Sequence, residues 1–177
     1  MLRSINQLGF TIVELMISIA LLGIVLTLAL PGYRAFVQNN YIRTAAESIQ
    51  SGLQLARAEA VGRNTQIQFE LGDNSAWTIG CATPSANCPA EIQSRSAGDG
   101  SSSSVVVATT PADATKVIFN NLGATVPAAD SLTQVDIDID PTVLPAEDSR
   151  ELRVTIGIGG NTRMCDPSLD VTDARAC

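Results

Sequence analysis

The apolar run near the N-terminus limits what this chain can fold into more than any other feature. Residues 10–30 form a run of 21 residues with one charge, that of Glu14. A helix rises about 1.5 Å per residue, so this run just crosses a bilayer core of about 30 Å. Nine residues precede the run, and the sequence that follows it is polar. The sequence therefore predicts a short leader, a membrane helix and a large exported body.

The acidic residue within the run is the informative one. A carboxylate at the centre of a membrane helix costs about 3 kcal/mol, so an acid there indicates a function and needs a partner. A cut between Gly9 and Phe10 would place a new α-amine one helical turn from Glu14. The two charges could then pair within one chain or between neighbouring helices of a bundle. The alternative is that Glu14 only marks the helix end at the membrane interface.

The sequence Gly9-Phe10-Thr11, with Glu14 and the apolar run up to Pro31, resembles the class III signal of type IV pilins and type II secretion pseudopilins. The resemblance implies that a prepilin peptidase cuts after Gly9 and N-methylates Phe10. It also implies that Glu14 acts in assembly and that Pro31 kinks the helix. A cleaved secretory signal and a plain signal anchor are the alternatives, but no small-residue cleavage site follows the run.

A second set of residues resembles the GspH/FimT/FimU branch of this family. The set comprises Leu53, Ala56, Arg57, Glu59, Ala60, Arg63 and Asn64, together with Phe119 and Gly123. The resemblance implies a minor type IV pilin, a structural component of the priming or tip complex that initiates pilus assembly for twitching motility and adhesion. The alternatives are a GspH-type pseudopilin of a type II secretion system and a FimT-like DNA-binding minor pilin for natural transformation. For the Arg57 face of the helix, a solvated surface and a partner contact are equally favoured.

The same resemblance implies where the protein lies and what it contacts. The expected location is the bacterial inner membrane, crossed once, with the body in the periplasm and later in a pilus or pseudopilus. The expected partners are other minor pilins and the major pilin, through the N-terminal helix bundle, and the prepilin peptidase. Nucleic acid is not an expected partner, and no cofactor is expected.

Beyond the apolar run, the hydrophobic period first favours a helix and then strands. Apolar or small residues recur in steps of three and four from Ala35 to Ala60, and Gly62 stands where a helix-ending glycine belongs. This stripe predicts a helix over 10–61 whose second half packs on a sheet rather than in a coiled coil. From Thr65 the period becomes two, with strands expected at 65–71, 76–79, 105–107, 116–119, 134–140, 151–158 and 162–165.

This pattern predicts an α+β fold. A long N-terminal helix, half in the membrane and half packed, carries antiparallel sheets that form a globular pilin body. The expected divisions are a leader at 1–9, a membrane and assembly helix at 10–30, a packed helix at 31–62 and a β-rich domain at 63–177. Residues 94–104 are of low complexity and are expected to form a mobile surface loop.

Composition excludes several classes of function. The sequence has no histidine, which removes the commonest general base and the commonest metal ligand. No other catalytic group stands beside the Ser, Thr and Asp residues, so the sequence predicts a non-enzyme. Residues 65–177 hold six basic and fifteen acidic side chains, a net charge of −9. Because Lys and Arg contacts to phosphate drive nucleic-acid affinity, such a body is a poor general partner for DNA.

The four cysteines, Cys81, Cys88, Cys165 and Cys177, all lie in the predicted body. In an oxidising compartment an even number of cysteines indicates disulfides, and four allow three connectivities. Pairing Cys81 with Cys88 and Cys165 with Cys177 is favoured because each pair closes a short loop rich in turn residues. A zinc site is the alternative, but the spacings do not match those of zinc ribbons.

Three polar clusters are weighed as sites. Asp136, Asp138 and Asp140 share one face of a strand and could bind calcium, but a solvated face that discourages edge pairing is favoured. Asp166, Asp170 and Asp173 lie between the last two cysteines, where calcium is again an alternative. Arg163 stands where DNA-binding relatives carry a Gly-Arg-x-Arg motif, but Asn161 replaces the first arginine.

Overall fold

In a computed structural model, residues 10–99 and 101–177 are described, apart from the side chains of Leu28 and Pro31. The chain divides into two compact units between Phe36 and Val37. The helix α1, Ile12–Arg63, contributes its first half to one unit and its second half to the other. The helix bounds are close to those predicted, and the α+β class is confirmed.

The described part of the first unit is helical, and its large apolar side chains are exposed, from Phe10, which is 87% exposed, to Phe36, apart from those of Leu28 and Pro31, which are not described. In the described part of the chain, no single helix is both long enough and apolar enough to be a candidate membrane span. The segments Ile12–Thr27 and Gly32–Arg63 meet both conditions only together, as a pair bent by 43°. Pro31 lies between them, its side chain is outside the described residues, and its role stays a prediction.

The end of α1 corrects one prediction. Gly62 lies inside the helix, and Asn64 takes the left-handed conformation with φ of 53°. The amide of Thr65 donates to Ala60 O at 3.2 Å and that of Asn64 to Val61 O at 3.3 Å. These two bonds define a Schellman motif with Asn64 at its left-handed position. Asparagine tolerates this conformation, so the helix runs past Gly62.

The second unit is built from the rest of α1 and eight strands. They are β1 Ile67–Leu71, β2 Trp77–Cys81, β3 Gln93–Arg95, β4 Val105–Thr110, β5 Lys116–Phe119, β6 Gln134–Ile139, β7 Leu152–Ile156 and β8 Thr162–Cys165. One antiparallel sheet has the order β3-β2-β1-β5, and the other has the order β4-β6-β7-β8. Each sheet alternates inward and outward side chains, which is why period-two patterns located most of the strands.

The helix packs closely on the β1–β2 hairpin. Five apolar side chains of this hairpin are buried: Ile67, Phe69, Leu71, Trp77 and Ile79. Trp77 Nε1 donates a buried hydrogen bond to Ser48 Oγ at 2.9 Å. A Cβ added to Gly52 would lie 2.9 Å from both Phe69 Cε2 and Trp77 Cδ2. The helix backbone therefore touches the two aromatic rings, which only a glycine permits.

The buried face of α1 is wider than the predicted stripe. From Ile42 to Ala60 every predicted stripe residue is fully buried, and Ala45, Ser48 and Gly52 are buried as well. A count of apolar residues misses a buried serine and a buried glycine, because neither contributes a hydrophobic signal. Nearer the apolar run, the side chain of Asn39 holds the loop between β6 and β7, because it donates to Asp148 O and accepts from Arg150 N.

Two predictions about the strands are wrong. β3 overlaps the expected mobile loop, 94–104, at Ser94 and Arg95, and it pairs with β2 from Trp77↔Arg95 to Ile79↔Gln93. The acidic strand β6 is not at an edge, since it lies between β4 and β7. Its like charges therefore do not serve to discourage edge pairing. Asp136 is held by Arg153 at 2.5 Å and Asp138 accepts a hydrogen bond from Ser149 Oγ.

Replacing Gly52 with alanine is predicted to destabilise the body. Alanine normally stabilises a helix interior by about 0.5–1 kcal/mol over glycine. Here the added methyl meets two rings, and overpacking of a core costs about 1–3 kcal/mol. Gly62→Ala is the matched control, because nothing lies within 4 Å of its added Cβ.

The measurement is urea unfolding of the full chain in detergent, followed by fluorescence of Trp77, the one tryptophan. Gly52→Ala should lower the free energy of unfolding by about 1–2 kcal/mol, while Gly62→Ala should raise it slightly. An equal increase in the free energy of unfolding for both variants would show that the contact between Gly52 and the rings is loose.

Candidate processing and assembly site

The N-terminal end of α1 is capped by the predicted signal itself. The amide of Glu14 donates to Thr11 Oγ1 at 3.2 Å, and the amide of Leu15 donates to Thr11 O at 3.1 Å. Thr11 is therefore the N-cap, and Glu14 is the third residue of the first turn. The helix dipole also stabilises a negative side chain in the first turn. The spacing Thr-x-x-Glu thus begins the helix just after the expected cut, whose residue Gly9 lies outside the described residues.

The remaining polar side chains of the run are satisfied within their own helix. Ser18 Oγ donates to Glu14 O at 2.7 Å and Thr27 Oγ1 to Ile24 O at 2.8 Å. Hydroxyls bonded in this way carry no unpaired donor into an apolar environment. The carboxylate of Glu14 differs from them, because it is exposed and forms no ion pair within residues 10–99 and 101–177. It is the side chain of the run that still requires a partner.

In the second unit, two residues of the motif that the sequence indicated, Arg57 and Gly123, meet Gly160 at one junction. Arg57 Nε donates to Gly123 O at 3.1 Å. Gly123 and Gly160 have φ of 77° and 75°, a region that favours glycine. A Cβ added to Gly160 would lie 1.8 Å from Gly123 O. The junction thus ties α1, the turn after β5 and the β7–β8 turn together, and Gly160 was not predicted to take part.

Of the neighbouring polar pairs, one stays within the helix and one reinforces this junction. Glu59 pairs with Arg63 at 2.5 Å, one turn along the helix. Asn121 Nδ2 donates to Asn64 Oδ1 at 3.0 Å, so the helix end is bonded to the turn after β5. The sequence favours a solvated surface or a partner contact for the Arg57 face, and neither interpretation includes this junction. Arg57 binds a carbonyl of its own body.

The disulfides close the two loops that the sequence indicated. Cys81 is bonded to Cys88 and Cys165 to Cys177, with Cα atoms 5.8 Å and 5.0 Å apart. Arg163, the residue weighed for DNA contact, donates through Nη2 to Ala176 O at 2.8 Å and to Ala174 O at 3.3 Å. Its guanidinium therefore holds the C-terminal loop against β8. The DNA role stays untested.

The carboxylates of the C-terminal loop serve local turns. A hydrogen bond from the Arg175 side chain, helped by its amide, lowers the pKa of Asp173 to about 2. Hydrogen bonds from the amide and hydroxyl of Thr172 lower the pKa of Asp170. Because these folded-state pKa values are depressed, the carboxylates stabilise the loop above their ordinary pKa of about 4, and this is lost as the pH falls. In the described residues no group of three acids and cysteines is placed to hold a metal.

An exposed apolar helix with one unpaired acid, followed by two antiparallel sheets packed on the same helix, is the architecture of pilin-like proteins. Residues 45–160 match the model of the family described as type II transport protein GspH. Residues 5–30 match the prokaryotic N-terminal methylation motif. The chain belongs to the GspH family and carries a pilin-type N-terminus, as the sequence predicted.

Individual proteins are similar to this chain in sequence or in structure. The chain is 28% identical over 93 residues to a type IV major alpha-pilin of Moraxella bovis; the match covers 49% of this chain and 58% of that protein, less than two thirds of its length. The type IV minor pilin FimU of Pseudomonas aeruginosa has the same fold, with a TM-score of 0.52 and 21% identity over 75% of this chain and 97% of FimU. The minor pseudopilin EpsH of Vibrio cholerae aligns with a TM-score of 0.48 and 15% identity over 73% and 99% of the two chains.

Gly160→Ala is predicted to loosen the junction. The left-handed conformation alone costs a side chain about 1–2 kcal/mol, and the overlap with Gly123 O adds to this. We expect a loss of at least about 2 kcal/mol in the urea unfolding of the full chain. Gly159→Ala is the control, since its added Cβ comes no nearer than 3.7 Å to any atom. A Gly160→Ala protein as stable as Gly159→Ala would contradict the junction.

Proposed function

We propose that this protein is a minor type IV pilin, a structural component of the priming or tip complex that begins a pilus. It acts without catalysis or cofactor. The observation that carries the proposal is the N-terminal site, where an exposed carboxylate, Glu14, stands in the first turn of an apolar helix. A helix of this kind is stable in a bundle that supplies a positive partner.

The proposed sequence of events follows from the positions of the groups. Residues 10–30 hold the precursor in the inner membrane, crossing it once, with the body in the periplasm. A prepilin peptidase removes residues 1–9 after Gly9 and methylates the amine of Phe10. A methylated secondary amine keeps its positive charge, so a mature N-terminus can pair with Glu14 of the same or a neighbouring helix. Pro31 allows the helix to bend between the membrane part and the packed part, 31–62.

The body, 63–177, then contacts other minor pilins and joins them to the major pilin. Two disulfides and an acidic surface suit a domain that is exposed outside the cytoplasm. Membership of the GspH family also supports the second candidate, a pseudopilin that takes part in type II secretion. Both candidates use the same cut, the same helix and the same charge pair.

Removing the charge of Glu14 is predicted to block assembly and leave membrane insertion intact. In Glu14→Gln the side chain keeps its size and loses its charge, so a neighbouring amine is left unpaired in the bundle. Ser18→Ala is the matched control, because Ser18 bonds only to a carbonyl of its own helix.

The measurement is immunoblotting of sheared filaments and of membranes from cells that express each variant. We expect Glu14→Gln to be present and cleaved in membranes but reduced at least tenfold in filaments, and Ser18→Ala to behave as wild type. Incorporation of Glu14→Gln at the wild-type level would refute the charge pair.

The priming role is tested by counting surface pili after clean deletion of the gene. A priming component is needed to begin each filament, so the count should fall sharply and return when the gene is restored. A normal count would reject the pilus role, and secretion of exoproteins would then test the pseudopilin. If the deletion strain loses its pili and the Glu14→Gln gene restores them, the priming role depends on the body and not on the helix site.

A further inference from the structure

Among residues 10–99 and 101–177, one sheet edge of the body lacks both a partner strand and the usual protections of an edge. β4, with the sequence V-V-V-A-T-T, is the outermost strand of its sheet and pairs only with β6. The amide of Asp140 donates to Ser104 O at 2.9 Å, which sets the alternation of the ladder. Backbone groups of 104, 106, 108 and 110 therefore face β6, and those of Val105, Val107 and Thr109 face away.

These outward groups have almost no hydrogen bonds of their own. The amide of Val105 donates to Ser102 O at 3.1 Å. Within residues 10–99 and 101–177 the backbone N–H and C=O of Val107 and Thr109 bond to no other group. Because backbone polar groups require partners, these four groups bind either water or another chain.

The three other sheet edges are protected by the fold. Along β5, the amides of Val126 and Leu132 donate to Ile118 O and Lys116 O. Beside β8, the chain returns through the Cys165–Cys177 loop, where the amide of Asp166 donates to Arg175 O.

The last of these edges, β3, is three residues long and ends in a charged residue, Arg95. Short strands, charges and covering segments are the usual protections against edge pairing, and β4 has none of them along its six residues. Because the other sheet edges of the body are protected, the unprotected edge of β4 indicates a binding function.

The charge beside this edge restricts the partner. On the outer face of the sheet, Val106 and Ala108 lie opposite Asp138 and Asp136. Asp136 has a cation, Arg153, but Asp138 accepts hydrogen bonds only from neutral groups among the described residues, the Ser149 hydroxyl and the Ile139 amide. An added strand would lie about 4.8 Å from β4 and about 10 Å from these carboxylates. This distance is about one Debye length at 0.1 M salt, so positive side chains on that face are favoured.

We propose that the β4 edge is a docking site for an extended segment of a partner subunit, which adds a fifth strand to the β4-β6-β7-β8 sheet. Its backbone exchanges hydrogen bonds with Val107 and Thr109. Its side chains alternate, with uncharged β-branched residues toward the core face and Lys or Arg toward the acidic face. The proposal does not depend on the function proposed above, because it concerns the folded body alone.

The test uses a fluorescent eight-residue peptide of alternating valine and lysine. Its binding to the full chain in non-ionic detergent is followed by fluorescence anisotropy. Val107→Pro removes an outward N–H and no ladder bond, and proline is tolerated at such edge positions. Val107→Thr, which keeps the N–H and the branched shape, is the matched control. We expect Val107→Pro to weaken binding at least tenfold and Val107→Thr to leave it unchanged.

Two further peptides keep the test decisive even if Val107→Pro unfolds. A peptide N-methylated at alternate residues cannot donate along one edge and should not bind wild-type protein. A valine–glutamate peptide should bind at least tenfold more weakly than the lysine peptide. Equal binding of the N-methylated peptide would overturn strand addition, and equal binding of the glutamate peptide would overturn the basic partner. Concentration-dependent self-association that Val107→Pro abolishes would show that a second copy is the occupant, against the proposal.

Discussion

The second unit depends on the close approach of α1 to the β1–β2 hairpin. Trp77 is only 4% exposed, and a tryptophan of this kind buries about 200 Å², which stabilises the fold by roughly 5 kcal/mol. The ring fits because Gly52 has no side chain there and Ser48 accepts the indole N–H. A larger residue at either helix position would separate the helix from the sheet. The hairpin in turn carries β5 and β3 on its two sides, so that sheet is built out from this contact.

The sequence predicted the parts of the fold in which one residue type repeats with a fixed period. The alternating strands β1 and β6 and the stripe on α1 were predicted because half-buried elements require these patterns. β3 was missed because its Gln93-Ser94-Arg95 carries no apolar alternation. It forms a strand because the outer edge of β2 offers it backbone partners.

Such patterns could not predict contacts between residues that are distant in the sequence. The sequence indicated Arg57 and Gly123 by their resemblance to a family, but nothing in their spacing shows that Gly160 closes against Gly123. Likewise Gly62 was the natural helix end by composition, and the Schellman motif formed at Asn64 instead. In each case the deciding interaction is tertiary. The proposed assembly site differs, because Thr11 and Glu14 lie within one helical turn and local spacing is enough to indicate them. The role of Glu14 in assembly stays a prediction.

Most arginines of the second unit are bonded within it. Arg57 and Arg163 bind backbone carbonyls, and Arg153 and Arg175 are held by aspartates. The net charge of residues 65–177 is −9, which disfavours contacts to phosphates. Bodies of like charge repel one another on contact, so a filament made of this chain alone is disfavoured relative to one with less acidic neighbours. That charge balance supports a subunit used sparingly among others, which is the role of a minor pilin.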